Sequence, residues 1–199
     1  MTSLFDIIRC LSNVTVEIIG KDGAKKSIQK HNVFTNMGRN WLAESNRVLA
    51  GGGRKTDCLP YYLAVGKGSD QQTITPPGAG SQSEDATVTY IENPIEITSG
   101  AYLKELDRPT AEVSDYTNRY ECTLLTSDVS FGATSSAPIS ELALITKPAN
   151  TALPGGLKSA SGGPYSGTYD NGYLIAYVAL PPITKTSLVA LRILWELRF

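Results

Sequence analysis

Metal-binding and redox-active side chains are scarce in this chain. The 199 residues include one histidine, His31, and three cysteines, Cys10, Cys58 and Cys122. The cysteines lie far apart and no C-x-x-C pair occurs, so their spacing excludes the common zinc and redox motifs. We expect these thiols to be free and buried, as in a protein made in the cytoplasm.

The chain also has no strong net charge and no long apolar run. Its formal net charge is −1, so electrostatics favours neither nucleic acid nor an anionic membrane as a partner. No apolar stretch is long enough to cross a bilayer. Asp6 interrupts the first apolar residues and no basic region precedes them, so we do not expect a secretory signal.

Patterns typical of catalysis are missing as well. His31 falls in a predicted strand, and no G-x-S-x-G nucleophile elbow accompanies it. No pair of carboxylates has a spacing that indicates acid–base or metal chemistry. We therefore predict a protein that is not an enzyme and needs no cofactor and no metal.

The sequence is instead rich in short strand patterns divided by turn signals. Gly20–Gly23 separates two of them, and Thr35-Asn36 begins a helix that we predict from Met37 to about Leu49. Pro181-Pro182 and Asp107-Arg-Pro109 are expected to break strands, because proline has no backbone donor. We predict strands over residues 14–19, 24–33, 60–68, 87–91, 95–106, 116–125, 139–146, 173–180 and 188–199.

These patterns predict a mainly β fold, an antiparallel β-sandwich with one packed α-helix. In the final strand, period-two alternation places one apolar set on a single face: Leu191, Ile193, Trp195 and Leu197. Residues 1–12 are interpreted as an N-terminal arm and residues 13–199 as a single domain. Long loops are predicted at 69–86 and 147–172.

Apolar and aromatic residues recur near the ends of the chain and in the second long loop. Chain ends fray unless something holds them, and tyrosines offer a large contact area at low entropic cost. We therefore predict partner contacts by eight residues: Leu4, Phe5, Ile7, Ile8, Tyr165, Tyr169, Trp195 and Phe199.

Six motifs follow one another in a fixed order along most of the chain: Asn32–Arg39, Tyr62–Gly68, Leu103–Arg108, Ile139–Ile145, Leu180–Lys185 and Leu194–Phe199. Together they resemble a family of tailed-bacteriophage virion proteins that includes the N-terminal attachment domain of tail-collar fibres. The chain departs from the family pattern at Ala143, where glycine is usual, and in the shorter spacing between Glu105 and Arg108.

The resemblance implies a structural protein of the virion that assembles in the bacterial cytoplasm. Its expected role is that of a tail or baseplate adaptor, or a fibre-attachment module, which binds other virion proteins and forms a homo-oligomer. The chain stops where the shaft of a fibre would start, so we expect the attachment domain alone.

Other roles remain open at this point. The same fold would suit a capsid decoration (cement) protein that forms homo-oligomers on the shell. Tyr165 and Tyr169 would suit a lectin-like module that binds the host cell. A polysaccharide-degrading enzyme would need paired carboxylates in a groove, and the sequence shows no such pair.

Overall fold

The computed structural model describes residues 11–45, 60–67, 91, 94–98, 100–114, 117–129, 135–146 and 174–198. The helix in this part of the chain is α1 (Asn36–Ser45). The strands are β1 (Leu11–Gly20), β2 (Lys25–His31), β3 (Val33–Phe34), β4 (Pro60–Gly66), β5 (Leu103–Glu105), β6 (Arg108–Ser114), β7 (Thr117–Leu124), β8 (Ser136–Thr146), β9 (Leu174–Thr186) and β10 (Val189–Arg198).

The described strands form two five-stranded sheets. Sheet one has the order β2-β1-β10-β7-β6, and sheet two has the order β3-β9-β8-β4-β5. Neighbouring strands run antiparallel in both sheets. This confirms the predicted mainly β fold, a sandwich of antiparallel sheets with a single helix among the described residues.

Sheet one buries one face and keeps the other polar. The predicted alternation in β10 is confirmed, since its apolar set is buried in the main core: Leu191, Ile193, Trp195 and Leu197. On the opposite face, the Arg192 guanidinium donates from Nε to Glu121 Oε1 at 2.7 Å and from Nη1 to Glu17 Oε2 at 3.3 Å. Such half-exposed ion pairs are typical of a solvated face.

Sheet two is apolar on both faces. One face packs against sheet one, and the other forms a second cluster that includes Tyr62, Ala143 and Tyr177, with Met37 of α1 packed against it. Sheet two is therefore the middle layer, covered on its outer side in part by the helix.

The local sequence explains how α1 begins on this sheet. The Thr35 hydroxyl accepts a hydrogen bond from the Gly38 N–H at 2.9 Å and donates one to the Leu174 carbonyl. Thr35 is therefore the N-cap residue, and it also ties the helix to β9. A Cβ atom at Gly38 would overlap the Ile175 carbonyl oxygen and lie 3.0 Å from Ile175 Cα. Only glycine allows so close an approach of helix and strand.

The structure corrects several predicted boundaries. β1 begins at Leu11, so residues 11 and 12 belong to the sheet rather than to the arm. Pro181-Pro182 do not end their strand, because β9 continues to Thr186 through a register shift opposite Ser140. The predicted strand over residues 95–106 is reduced to β5 and the isolated bridge between Thr98 and Ala101.

The break predicted at residues 107–109 marks a change of sheet. β5 ends at Glu105 in sheet two, and β6 begins at Arg108 in sheet one. Pro109 therefore lies inside β6, which it tolerates because β6 is an edge strand. Residues 87–90 of the predicted strand over 87–91, the predicted helix beyond Ser45 and both predicted long loops fall outside the described residues.

Candidate interaction surface

Trp195 does not contact a partner from the surface, contrary to the prediction. Its side chain is only 1% exposed, and its indole Nε1–H donates to Ser12 Oγ at 3.2 Å. Ser12 Oγ in turn donates to the Glu196 carbonyl at 2.9 Å. The alternation that directs Leu197 inward directs Trp195 inward too, so this residue belongs to the core.

The other predicted contact residues lie outside the described residues, and their role stays a prediction: Leu4, Phe5, Ile7, Ile8, Tyr165, Tyr169 and Phe199. Cys10 and Cys58 lie outside them too. The third cysteine, Cys122, is buried and free, as predicted.

The described titratable groups give little sign of reactive chemistry. Burial raises the pKa of the Cys122 thiol to about 12, so the thiolate is absent at neutral pH. His31 is exposed on β2. Within the described ranges, no three or more histidine, cysteine, aspartate or glutamate residues are grouped as metal ligands would be. The described helix is too short and too polar to cross a bilayer.

A tightly held turn follows β7. The Asp128 N–H donates to the Leu125 carbonyl at 3.1 Å, and the Leu125 N–H donates to Asp128 Oδ2 at 2.7 Å. Val129 then adopts a φ of 78°, which is a strained conformation for a β-branched residue. Its N–H donates to the Ile97 carbonyl at 2.6 Å. Contacts on both sides of the turn thus hold the strained residue in place.

A buried lysine joins this turn to the one between β9 and β10. Lys185 Nζ donates to the Thr186 carbonyl at 2.9 Å and to the Thr126 carbonyl at 3.4 Å. Burial lowers the pKa of Lys185, while the nearby Asp128 carboxylate opposes that shift. Asp128 also forms an ion pair with Lys104 of β5. One ammonium group therefore fixes both turns at the same end of the sandwich.

These two turns each carry an exposed apolar residue. Leu125 is 52% exposed and Leu188 is 55% exposed, and they are the exposed large hydrophobic residues among those whose side-chain burial the structure describes. We call Leu125–Ser127 together with Ser187–Leu188 the two-turn surface. It presents two apolar side chains from backbone that is fixed by hydrogen bonds on both turns.

Sequence reasoning missed both leucines, although one signal was present. Leu124 and Leu125 are consecutive in a strand of period two, so they cannot both face the core. Leu124 is the buried one. Leu188 carried no such signal, because it was assigned to the final strand and not to a turn.

Comparison with known proteins finds no matching family model, no matching curated protein and no matching solved structure.

Proposed function

We propose that this chain is a structural protein of a tailed-bacteriophage virion. It would act as an adaptor or fibre-attachment module of the tail or baseplate, by binding other proteins and without catalysis. The observation that carries this proposal is the two-turn surface, where the exposed Leu125 and Leu188 stand on turns joined by Lys185.

The physical argument concerns the cost of binding. Ordering a mobile loop at an interface costs free energy that subtracts from affinity. The turns that carry Leu125 and Leu188 are already held by backbone and side-chain hydrogen bonds. Burying their side chains against a partner therefore stabilises a complex at little ordering cost. A surface of this kind suits a module whose task is attachment.

The motifs that carry the resemblance lend further support. Three of their residues have framework roles here: Thr35 caps α1, Gly38 permits its approach to β9, and Lys185 joins two turns. Residues with such roles are the ones that related chains need to retain in order to keep one scaffold. The motif order is therefore an argument about shared architecture, and the attachment role is inferred from it.

Copy number in purified particles tests the proposal. Quantitative mass spectrometry of virions gives the ratio of this protein to the major capsid protein. We expect a ratio far below one, as for a tail or baseplate component. A ratio near one would indicate capsid decoration instead, and absence from the particle would contradict a virion role altogether.

The same measurement on variants tests the two-turn surface. We expect the double variant Leu125→Ser/Leu188→Ser to lose at least tenfold in particle incorporation, while its free energy of unfolding changes by no more than about 0.5 kcal/mol, because both side chains are exposed. The matched control is Thr126→Ala/Ser187→Ala, which alters exposed polar residues of the same turns. Normal incorporation of the leucine variant would rule out this surface as the attachment site.

A further inference from the structure

The edges of the two sheets differ in how well they are protected. An edge strand leaves a row of backbone N–H and C=O groups free for pairing with another chain. In sheet two, the edge strands β3 and β5 have only 2 and 3 residues. In sheet one, β6 contains Pro109 and a register shift between Arg108 and Glu112. None of these three offers a long regular ladder.

One further stretch of edge lies on β9, beyond the two residues that pair with β3. It contains Pro181 and Pro182, which have no N–H to donate. Lys30 Nζ also donates to the Ala179 carbonyl at 2.5 Å, which occupies an acceptor of this strand. This edge is therefore blocked as well.

β2 is the exception among the described strands. It is 7 residues long, and its register with β1 runs without a shift from Lys25 to His31. Most of its side chains are exposed, so the strand lies open at the edge of sheet one. β2 therefore presents the longest regular backbone ladder at an edge in the described part of the chain.

The pairing pattern identifies which groups of β2 point outward. The Gly20 N–H donates to the Ala24 carbonyl at 2.9 Å, and the Asn32 N–H donates to the Ser12 carbonyl at 3.1 Å. Hydrogen-bonded and non-hydrogen-bonded pairs alternate in an antiparallel ladder. Every second residue of β2 therefore directs its N–H and C=O away from β1. These residues are Lys25, Ser27, Gln29 and His31.

The side chains of β2 restrict what can pair with it. The strand reads Lys-Lys-Ser-Ile-Gln-Lys-His and contains no acidic residue. If a second copy paired antiparallel about Ile28, Lys26 would face Lys30 of the other copy, and like charges directly opposite are destabilising. An acidic strand would instead meet an exposed ammonium group of opposite charge on either face of the sheet, Lys25 on the face of Ser27 and Gln29 and Lys26 on the face of Ile28.

We propose that β2 is the docking edge for an extended, acidic segment of another virion protein, which joins sheet one as an additional strand. Backbone hydrogen bonds to Ser27 and Gln29 would supply affinity, and side-chain pockets and charge would supply specificity. The segment would place an apolar residue beside the half-buried Ile28 and carboxylates beside Lys25. The identity of the partner as a virion protein rests on the proposed function. The inference that an acidic strand pairs with β2 does not, because it follows from the open edge and the charges of β2.

A synthetic probe tests the edge on the isolated full-length protein. The probe is the peptide Ac-Thr-Glu-Val-Glu-Val-Glu-Thr-NH2, and its control has lysine in place of each glutamate. Amide hydrogen exchange is followed by NMR. We expect the acidic peptide at saturation to slow exchange of the Ser27 and Gln29 amides at least tenfold, and the lysine peptide to leave them unchanged.

Substitutions at the edge separate backbone pairing from simple charge attraction. Gln29→Pro removes an outward N–H that β1 does not use, a position at which edge strands tolerate proline. We expect it to weaken peptide binding at least tenfold, whereas Gln29→Ala stays within twofold of the parent protein. Lys25→Glu/Lys26→Glu retains every backbone donor of β2. We expect this variant to reverse the peptide preference, so that it binds the lysine peptide and not the acidic peptide.

The proposal is overturned if both peptides protect β2 equally, if protection appears on another strand, or if Gln29→Pro and Gln29→Ala bind alike. A dimer of the free protein that slows exchange of the same amides would also overturn it, because a second copy would then be the occupant. Absence of the protein from purified particles would refute the virion role alone, since the peptide experiment does not involve particles.

Discussion

At the scale of single residues, Trp195 joins the two ends of the described chain. Its indole donates to Ser12 near the start of β1, and Ser12 donates to the backbone of β10. Both side chains are buried, so loss of one partner leaves a polar group unsatisfied.

We predict that Trp195→Phe lowers the free energy of unfolding by about 1–3 kcal/mol, from a lost hydrogen bond and a small cavity. Urea denaturation measures it. In the double variant with Ser12→Ala we expect less destabilisation than the sum of the two single variants, because each single change already breaks the shared hydrogen bond. Strict additivity would show that the hydrogen bond contributes nothing.

The same residue shows what could be predicted from the sequence. Period-two alternation correctly placed Trp195 with Leu191 and Ile193 on the core face. We also predicted a partner contact for Trp195, because it is an aromatic residue near the chain end. That prediction was wrong, since the side chain is buried in the core. The hydrogen bond between Trp195 and Ser12 joins residues that are far apart in sequence, and no local sequence pattern predicts such a contact.

At the scale of elements, the placement of α1 depends on Gly38. We predict that Gly38→Ala destabilises the fold by about 1–3 kcal/mol, because the new methyl group overlaps the backbone of β9 at Ile175 and forces the helix away. The control is Arg39→Ala, an exposed position on the same helix. Thermal denaturation of both variants is the measurement, and equal stability would show that the helix moves without cost.

Element boundaries were predictable where local chemistry decides them. The turn at Gly20–Gly23 and the helix start at Thr35 were both predicted correctly. The course of β9 through Pro181-Pro182 was not, because the register shift against β8 that accommodates these prolines is a property of the sheet. The change from sheet two to sheet one near Asp107 could not be predicted either, because a break in the strand pattern does not indicate which sheet the next strand joins.

At the scale of the whole molecule, the arm hypothesis is testable with a boundary that the structure supplies. Deleting residues 2–9 retains β1 and the Ser12 contacts. We predict at least a tenfold loss of particle incorporation with a cooperative unfolding transition preserved. The control deletion of residues 2–12 also removes Ser12 and should destabilise the fold. Undiminished incorporation of the shorter deletion would refute attachment through the arm.

The central pairing of sheet one governs when the protein can fold during its synthesis. β1 lies beside β10 over its whole length, from Leu11 opposite Arg198 to Gly20 opposite Val189. β1 therefore cannot form its pairing with β10 until β10 has been synthesised. Sheet one lacks its central strand until residue 198 has left the ribosome. Such long-range pairing slows folding, and a chain interrupted before β10 exposes unpaired strands that favour aggregation.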